Sequence, residues 1–140
     1  MSQNLLAPGI AEQLKQGAAE AATHAYAPYS HFHVGAALLL SDGSVVTGCN
    51  VENVSYGLTI CAERSAVVRA ISRLGSSVRI AAVAVTNLND AASPPCGACR
   101  QVLAEFMDPD APIFFPGDAG PECRTIAELL PFGFHLSNAP

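Results

Sequence analysis

Hydrophobic and polar positions along the chain alternate between the period of a helix and that of a buried strand. Over residues 8–25, aliphatic and alanine positions recur three and four residues apart, which predicts an amphipathic helix. The run over 34–40 is almost entirely apolar and predicts a strand buried on both faces. Asp42-Gly43 follows it, and an Asp-Gly pair between apolar runs predicts a hairpin whose return strand covers 45–51.

The second half of the chain repeats the change between helix and strand. The pattern predicts helices over 61–74 and 97–107, a buried strand over 78–86, and short strands over 113–115 and 123–124. Thr125 and Glu128 have the spacing of a capping box, so a last short helix begins there, and Pro131 ends it. Strands alternating with helices indicate an α/β fold whose sheet, beyond the opening hairpin, is mostly parallel and covered by helices.

The composition changes this picture in one respect, the surface. With 140 residues, the chain has the size of one ordinary domain, and we expect a single domain over 1–140. Charged residues make up 14%, against roughly 25% in an average soluble domain, while hydrophobic residues make up 50%. This hydrophobicity excludes a disordered chain. The shortage of charge suggests that part of the surface is buried against another chain.

The charge balance excludes several classes of partner. The net charge is −5 and Lys15 is the only lysine, so a nucleic-acid backbone would find no basic stripe. No apolar run approaches the roughly 18 residues that cross a bilayer. Residues 1–15 lack the basic start and apolar block of a secretory signal. We therefore expect a cytoplasmic protein with no membrane partner and no nucleic-acid partner.

The five cysteines point to metal chemistry. An odd number in a reducing compartment argues against a set of disulfides. Cys61, Cys96 and Cys99 stand close to Glu, Gly and Arg, which favours a metal site. Cys49 and Cys123 lack such neighbours and are interpreted as small buried hydrophobic residues.

The three thiols are expected to converge at the starts of two helices. Cys61 opens one predicted helix, and Cys96 and Cys99, one helical turn apart, open another. A parallel crossover would set the two helix starts side by side at one edge of the sheet. Three protein ligands leave one coordination position open for water, as in catalytic zinc sites. Glu63 is spaced to reach that position and to move protons there.

Such a site calls for nearby positive charge. Three thiolates around Zn²⁺ leave a net negative charge, which weakens the metal as a Lewis acid. The two helix N-termini each offer partial positive charge. Arg64 and Arg100 follow ligands closely and are predicted to balance the charge by donating hydrogen bonds to the sulfurs.

The same residues allow two other interpretations. A structural zinc site with four ligands would recruit Cys49 or a histidine as the fourth ligand. A redox pair at Cys96 and Cys99 is the second, although it leaves Cys61 and Glu63 without a role. A non-catalytic zinc module therefore stays open at this point.

Four blocks of sequence resemble the cytidine deaminase family and follow one another in the family's order. They are Ala27-Pro28-Tyr29-Ser30-His31-Phe32 with Val34-Gly35-Ala36-Ala37-Leu38, then Gly48-Cys49-Asn50-Val51-Glu52-Asn53 with Cys61-Ala62-Glu63-Arg64, then Pro95-Cys96-Gly97-Ala98-Cys99-Arg100-Gln101, and the tail from Leu129 to Phe134. The second and third contain the zinc-deaminase signature H-x-E…P-C-x-x-C with Cys in place of His. The resemblance implies a three-layer α/β/α fold with a five-stranded mixed sheet.

It also implies an activity, the hydrolysis of cytidine and deoxycytidine to the uridines and ammonia. Cys61, Cys96 and Cys99 would hold Zn²⁺, one per subunit, and Glu63 would carry the proton between water, ring N3 and the leaving amine. Asn50 and Glu52 match the family's sugar-binding pair, and Phe32 matches an aromatic residue that packs on the pyrimidine. The backbone N–H groups of Ala62 and Cys96 are expected to face the reacting centre.

The family further implies a homotetramer whose active sites are shared across subunits. Tyr56 and Phe134 match residues that lie near a neighbour's Phe32 and Asn50, with Phe132 competing for the role of Phe134. Pro94 stands where family members often carry serine. Because proline restricts its own backbone and that of the residue before it, we expect a different conformation in the loop that enters the third helix. The four histidines receive no role.

Two other substrates belong to the same chemistry. One is a related cytosine nucleoside such as blasticidin S, against which Asn50, Glu52 and Ser55-Tyr56-Gly57-Leu58 favour the plain nucleoside. The other is single-stranded nucleic acid, which requires a positive channel that this composition does not offer.

Overall fold

The structure, a computed structural model, describes residues 7–136. The strands are β1 Val34–Leu40, β2 Val45–Cys49, β3 Ile80–Asn87, β4 Pro112–Gly117 and β5 Gly120–Thr125. The helices are α1 Ile10–Ala22, α2 Ala62–Leu74, α3 Gly97–Ala104 and α4 Ile126–Leu129. Each predicted helix and strand is present. The first three helices and β2 are shorter than predicted, whereas β4 and β5 are longer. The capping box is confirmed: the Thr125 hydroxyl accepts from the Glu128 N–H, and the Glu128 carboxylate accepts from the Thr125 N–H.

The five strands form one mixed sheet in the order β2-β1-β3-β4-β5. The expectation that the sheet beyond the hairpin is mostly parallel was wrong. Only β3 and β4 pair in parallel, whereas β1 pairs antiparallel with both β2 and β3, and β4 pairs antiparallel with β5. The reason is that two tight hairpins reverse the chain, and a single helical crossover, through α3, joins neighbouring strands.

The two faces of the sheet carry separate hydrophobic clusters, which makes the fold three layers deep. On one face, Leu14 and Ala18 of α1 pack against Ala37, Ala84 and the Phe114 ring. On the other face, buried residues of α2, α3 and the start of α4 pack against the alternate positions of the same strands. The three-layer α/β/α architecture implied by the resemblance is confirmed.

Two glycines let helices lie directly on the sheet. A Cβ on Gly35 would stand 1.8 Å from the Ala18 carbonyl oxygen of α1. A Cβ on Gly48 would stand 2.5 Å from the backbone nitrogen of Ala66 in α2. Backbone atoms cannot move aside as a flexible side chain can, so these positions fix the distance between helix and sheet. None of the helices in the described part combines the length and hydropathy needed to cross a bilayer.

We expect Gly48→Ala to lower the free energy of unfolding by about 1–3 kcal/mol, because the added methyl group forces α2 away from β2. Gly17→Ala is the matched control: its Cβ would meet only Thr47 Cγ2 at 3.6 Å and Ala37 Cβ at 3.8 Å. Because alanine is the better helix former, that variant is expected to gain about 0.5–1 kcal/mol. Urea unfolding of both variants measures the difference, and a Gly48→Ala protein as stable as the native one would contradict this packing.

Candidate active site

At one edge of the sheet, two strands end and a third strand begins. Since β2 and β3 are both antiparallel to β1, they run in the same direction and end at the edge where β1 begins. β2 ends at Cys49 and β3 at Asn87, and the chain then enters α2 and α3 from that edge. The predicted convergence of the two helix starts therefore holds, although the strand between β2 and β3 is antiparallel to both.

The three predicted ligands meet at these helix starts. Cys61 is the N-cap residue of α2 and Cys96 that of α3, and neither helix has a side-chain cap. The Sγ atoms of Cys61 and Cys96 lie 3.7 Å apart, and those of Cys96 and Cys99 lie 3.3 Å apart. All three sulfurs lie within 4.8 Å of one another. Helix N-termini favour negative charge, so the fold itself supports thiolates here.

Arg64 faces the sulfurs as predicted. Its Nη2 atom donates to the Cys61 Sγ at 3.5 Å and to the Thr59 carbonyl oxygen at 3.5 Å. The pKa of Cys61 is lowered to about 5, first by its hydrogen bond with Cys99 and further by Arg64. The pKa of Cys99 is raised, first by the same bond with Cys61 and then by burial. The bond between these two thiols therefore favours the thiolate at Cys61 over the thiolate at Cys99.

Arg100 differs from its prediction. Its Nε atom donates to the Pro95 carbonyl oxygen at 2.7 Å, and its Nη1 atom donates to the Leu129 carbonyl oxygen at 2.9 Å. The guanidinium thus satisfies backbone acceptors and makes no hydrogen bond to a described thiol. It ties the loop before α3 to the end of α4, which is a positioning role and not the predicted bond to sulfur.

Glu63 stands in the first turn of α2, next to the thiols. Its side chain is only 4% exposed. The pKa of the carboxyl is raised to about 7, first by burial and then by the nearby charge of Cys61. A carboxyl group in such an environment can both accept and release a proton near neutral pH.

A cavity of about 370 Å³ opens beside the thiols and Glu63. It brings together most of the predicted site residues, namely Phe32, Asn50, Glu52, Tyr56, Cys61, Ala62, Glu63 and Cys96. Val34 and Val85 add apolar surface, and Ser93 and Pro94 line it from the loop before α3. The space suits one small organic molecule with polar groups at defined places. A larger cavity of about 470 Å³ lies elsewhere, between α3, α4 and the tail.

Asn50 and Glu52 are engaged with the segment that carries Phe32. Asn50 Nδ2 donates to the Phe32 carbonyl at 2.8 Å, and Asn50 Oδ1 accepts from the Val34 N–H at 2.9 Å. The Glu52 carboxylate accepts from the backbone N–H groups of Tyr29 and Ser30 and from the Ser30 hydroxyl. The Ser30 hydroxyl bond is the first cause that lowers the pKa of Glu52. The sequence did not predict that both side chains hold the backbone on either side of Phe32.

The two residues expected near a neighbour's site behave differently from each other. Tyr56 lines the cavity of its own chain, in a short 3₁₀ turn over Tyr56–Leu58. Phe134 lies in the tail, 73% exposed, and borders the larger cavity. Its backbone is held by Gln101, whose Nε2 donates to the Phe134 carbonyl at 2.7 Å and whose Oε1 accepts from its N–H at 3.1 Å. The Phe132 side chain is fully exposed.

Several polar residues that received no role from the sequence form side-chain hydrogen bonds near the site. Ser30, Asn87, Asn89 and Gln101 hold backbone segments through side-chain hydrogen bonds. Asn87 is the last residue of β3 and Asn89 falls in the loop that follows. For both, only the turn preference of asparagine was available as a signal. Gln101 is the second residue after the Cys-x-x-Cys motif, and this position was its one signal.

The donor set fits a zinc ion. Within the part of the chain that the structure describes, Cys61, Cys96 and Cys99 form the group of potential ligands, and neither Cys49 nor a histidine joins them. Thiolates are favoured zinc ligands, and three of them with a neighbouring carboxyl match an open site better than a four-ligand knuckle. Cys49 and Cys123 are half-buried, and burial raises the pKa of both thiols.

Comparisons with known proteins agree with this chemistry. Residues 9–114 match the family model for the cytidine and deoxycytidylate deaminase zinc-binding region. A cytidine deaminase of Halalkalibacterium halodurans is 47% identical over 88% of this chain and 92% of its own length. One of Mycobacterium tuberculosis is 48% identical over 91% of both chains. A crystal structure of cytidine deaminase from Mycobacterium tuberculosis matches with a TM-score of 0.76 at 46% identity, over 89% of this chain and 97% of that one.

We expect Cys61→Ala to lose its zinc, because two sulfurs remain where three converge. Cys123→Ala is the matched control, since it removes a half-buried thiol on β5 outside the cluster. Metal analysis of the dialysed proteins should find stoichiometric zinc in the native chain and in the control only. Stoichiometric zinc in Cys61→Ala would remove Cys61 from the ligand set.

Proposed function

The chain belongs to the cytidine and deoxycytidylate deaminase zinc-binding family, and on that premise we propose that it hydrolyses cytidine and deoxycytidine to uridine and deoxyuridine with release of ammonia. The observation that carries the proposal is one cavity lined by Cys61 and Cys96 of the three-thiol cluster, by the buried Glu63, and by the polar pair Asn50 and Glu52. A non-catalytic zinc module would have no need of a carboxyl group and an open cavity beside its metal.

In this proposal Cys61, Cys96 and Cys99 hold Zn²⁺. When bound, zinc supplies a Lewis acid that lowers the pKa of water to near neutrality. Arg64 opposes the negative charge of the thiolates through its bond to Cys61. Arg100 contributes indirectly, because it fixes the Pro95 carbonyl directly before Cys96.

Glu63 is the proposed proton carrier. Its carboxyl group takes a proton from water and delivers it to ring N3 as the water oxygen bonds to ring C4. It then takes the remaining proton of that oxygen and passes it to the amine, which leaves as ammonia when the C4–N bond breaks. Burial beside the thiols keeps the carboxyl out of bulk water, so proton exchange with solvent does not compete with transfer to the ring. The backbone N–H groups of Ala62 and Cys96, at the two helix starts, add partial positive charge on the same side.

Recognition of the nucleoside is assigned to Phe32, Asn50 and Glu52, which line the same cavity. Phe32 offers a ring for the pyrimidine to pack on. Asn50 has a second Nδ2 hydrogen and a second Oδ1 lone pair beyond its backbone bonds, and Glu52 has acceptor capacity left, so both can bind sugar hydroxyls. No lysine or arginine lines the cavity among the described residues, while Glu52 and Glu63 do. These carboxylates disfavour a phosphate, which supports a free nucleoside over a nucleotide.

We include a homotetramer in the proposal. Large apolar side chains are exposed in the loop after β2 and on α2, including Val54 at 81%, Leu58 at 65% and Val68 at 58%. Exposure of this kind marks surfaces that another chain covers. Tyr56 and Phe134 are assigned to the boundary between subunits, with Phe134 reaching towards a neighbouring cavity. The setting proposed is pyrimidine salvage in the cytoplasm, where the three thiols stay reduced.

A substrate panel tests the proposed activity. With zinc-loaded protein, ammonia release is expected from cytidine and deoxycytidine, and much less from CMP, adenosine, blasticidin S and a short single-stranded DNA. Glu63→Gln should retain zinc and lose about 10²–10⁴-fold in turnover, because the amide cannot carry the proton. Turnover of the single strand but not of cytidine, or full activity of Glu63→Gln, would contradict the proposal.

The shared-site assembly is tested by sedimentation of the zinc-loaded protein under assay conditions. The native chain is expected to sediment as a tetramer. Phe134→Ala should retain zinc and raise KM for cytidine by about tenfold, since an aromatic contact worth roughly 1 kcal/mol or more is lost. Phe132→Ala serves as the matched control in the same tail. A fully active monomer would disprove sharing of the sites and would leave the chemistry standing.

A further inference from the structure

Phe32 lies two residues before β1, so its backbone is not held by the regular pairing of the strands. β1 begins at Val34, and its first partners are Asn87 on β3 and, for Gly35, Cys49 on β2. Both neighbouring strands end there, yet the Phe32 side chain forms one wall of the cavity. An aromatic ring can be placed accurately only if the backbone on both sides of it is fixed.

Two side-chain amides continue the hydrogen bonding where the strands end. On the β2 side, Asn50 bonds the Phe32 carbonyl and the Val34 N–H. On the β3 side, Asn89 Nδ2 donates to the His31 carbonyl at 2.9 Å, and Asn89 Oδ1 accepts from the His33 N–H at 3.0 Å. A primary amide carries the donor and acceptor of a peptide group. Asn89 thus acts as an additional strand residue opposite Phe32.

The backbone beside Phe32 needs this support. His31 has a φ of +59°, in the left-handed region that few residues other than glycine adopt. Such a conformation persists where surrounding bonds determine it. The His31 N–H donates to the Ala27 carbonyl at 2.9 Å, and the His31 carbonyl accepts from Asn89. Loss of the Asn89 bond would allow the residue next to Phe32 to relax.

Asn89 is itself fixed by its loop. The Asn87 Oδ1 atom accepts from the N–H groups of Asn89 at 2.9 Å and Ala91 at 3.2 Å. Asn87 Nδ2 donates to the Ala91 carbonyl at 2.8 Å and to the Ser93 hydroxyl at 2.9 Å. The same loop continues through Ser93 and Pro94, which line the cavity, to Cys96. One loop therefore supports the aromatic wall and leads into the metal ligands.

We infer that Asn89 is a positioning residue that fixes the Phe32 wall of the cavity through its bonds to the His31 carbonyl and the His33 N–H. This inference rests on the proposed function for its effect on substrate. Because Phe32 packs on the ring both before and during reaction, misplacing it weakens binding of substrate and transition state alike. The expected signature is a raised KM with kcat nearly unchanged.

A double-mutant cycle with Phe32 tests the inference. Asn89→Ala should raise KM for cytidine about fivefold with full zinc content, since both hydrogen bonds to the wall are lost. In a Phe32→Ala background the same change should alter KM by less than about twofold, because the residue through which Asn89 acts is already gone. Equal effects in the two backgrounds, or an unchanged KM in the native one, would overturn the inference.

Asp42→Ala is the matched control. Asp42 Oδ1 accepts from the Ser44 N–H and hydroxyl in the hairpin turn at the other end of β1, so its loss costs similar bonds far from the cavity. KM should stay within about twofold of native there. Amide hydrogen exchange gives a readout without substrate: Asn89→Ala should speed exchange at His33 and Asp42→Ala should not. If the native protein failed to release ammonia from cytidine, the proposed function would be contradicted, but hydrogen exchange at His33 would still test the role of Asn89. Unchanged exchange at His33 in Asn89→Ala would contradict that role.

Discussion

The direction of three strands is the constraint on which the site depends. β2 and β3 flank β1 and run opposite to it, so two strands end where one begins. That single arrangement places the starts of α2 and α3, the entry to β1 and the loops after β2 and β3 at one edge. The thiols come from the helix starts, the aromatic wall from the entry to β1, and the polar residues Asn50, Glu52 and Asn89 from the loops. No residue of the cavity has to be brought in from a distant part of the sheet.

Close contact between backbones then sets the scale of the site. Gly48 admits the first turns of α2 so near to β2 that even a methyl group would meet the helix backbone. Ala62 and Ala66 are buried on that face of α2, and Ala18 and Ala22 are buried on α1 where Gly35 admits it. The high share of small apolar residues follows in part from this packing on both faces. The exposed apolar side chains after β2 are the surface that the low charge content led us to expect, one that another chain would cover.

Local patterns predicted the elements well because the physics there is local. The run over Val34–Leu40, the Asp42-Gly43 turn and the Thr125 capping box were predictable from neighbouring residues alone. Strand direction was not predictable in this way. A helical crossover makes β2 and β3 run in the same direction, but it does not determine which strand lies between them. The convergence of the thiols was nevertheless correct, because it depends only on β2 and β3 running the same way.

Site chemistry was predictable where residue type limits the role, and less so where it does not. Three cysteines and a glutamate beside them allow few alternatives. Arg100 has donors that suit a thiolate or a carbonyl equally, and it bonds carbonyls. The resemblance predicts that Asn50 and Glu52 bind the sugar, whereas their bonds to the Phe32 segment depend on the three-dimensional fold. The proposed chemistry depends on a zinc ion held by three sulfurs with one coordination position left open. X-ray absorption spectroscopy of the purified zinc protein tests this coordination most directly: three sulfur donors and one oxygen or nitrogen donor are predicted, and four sulfur donors would contradict an open catalytic site.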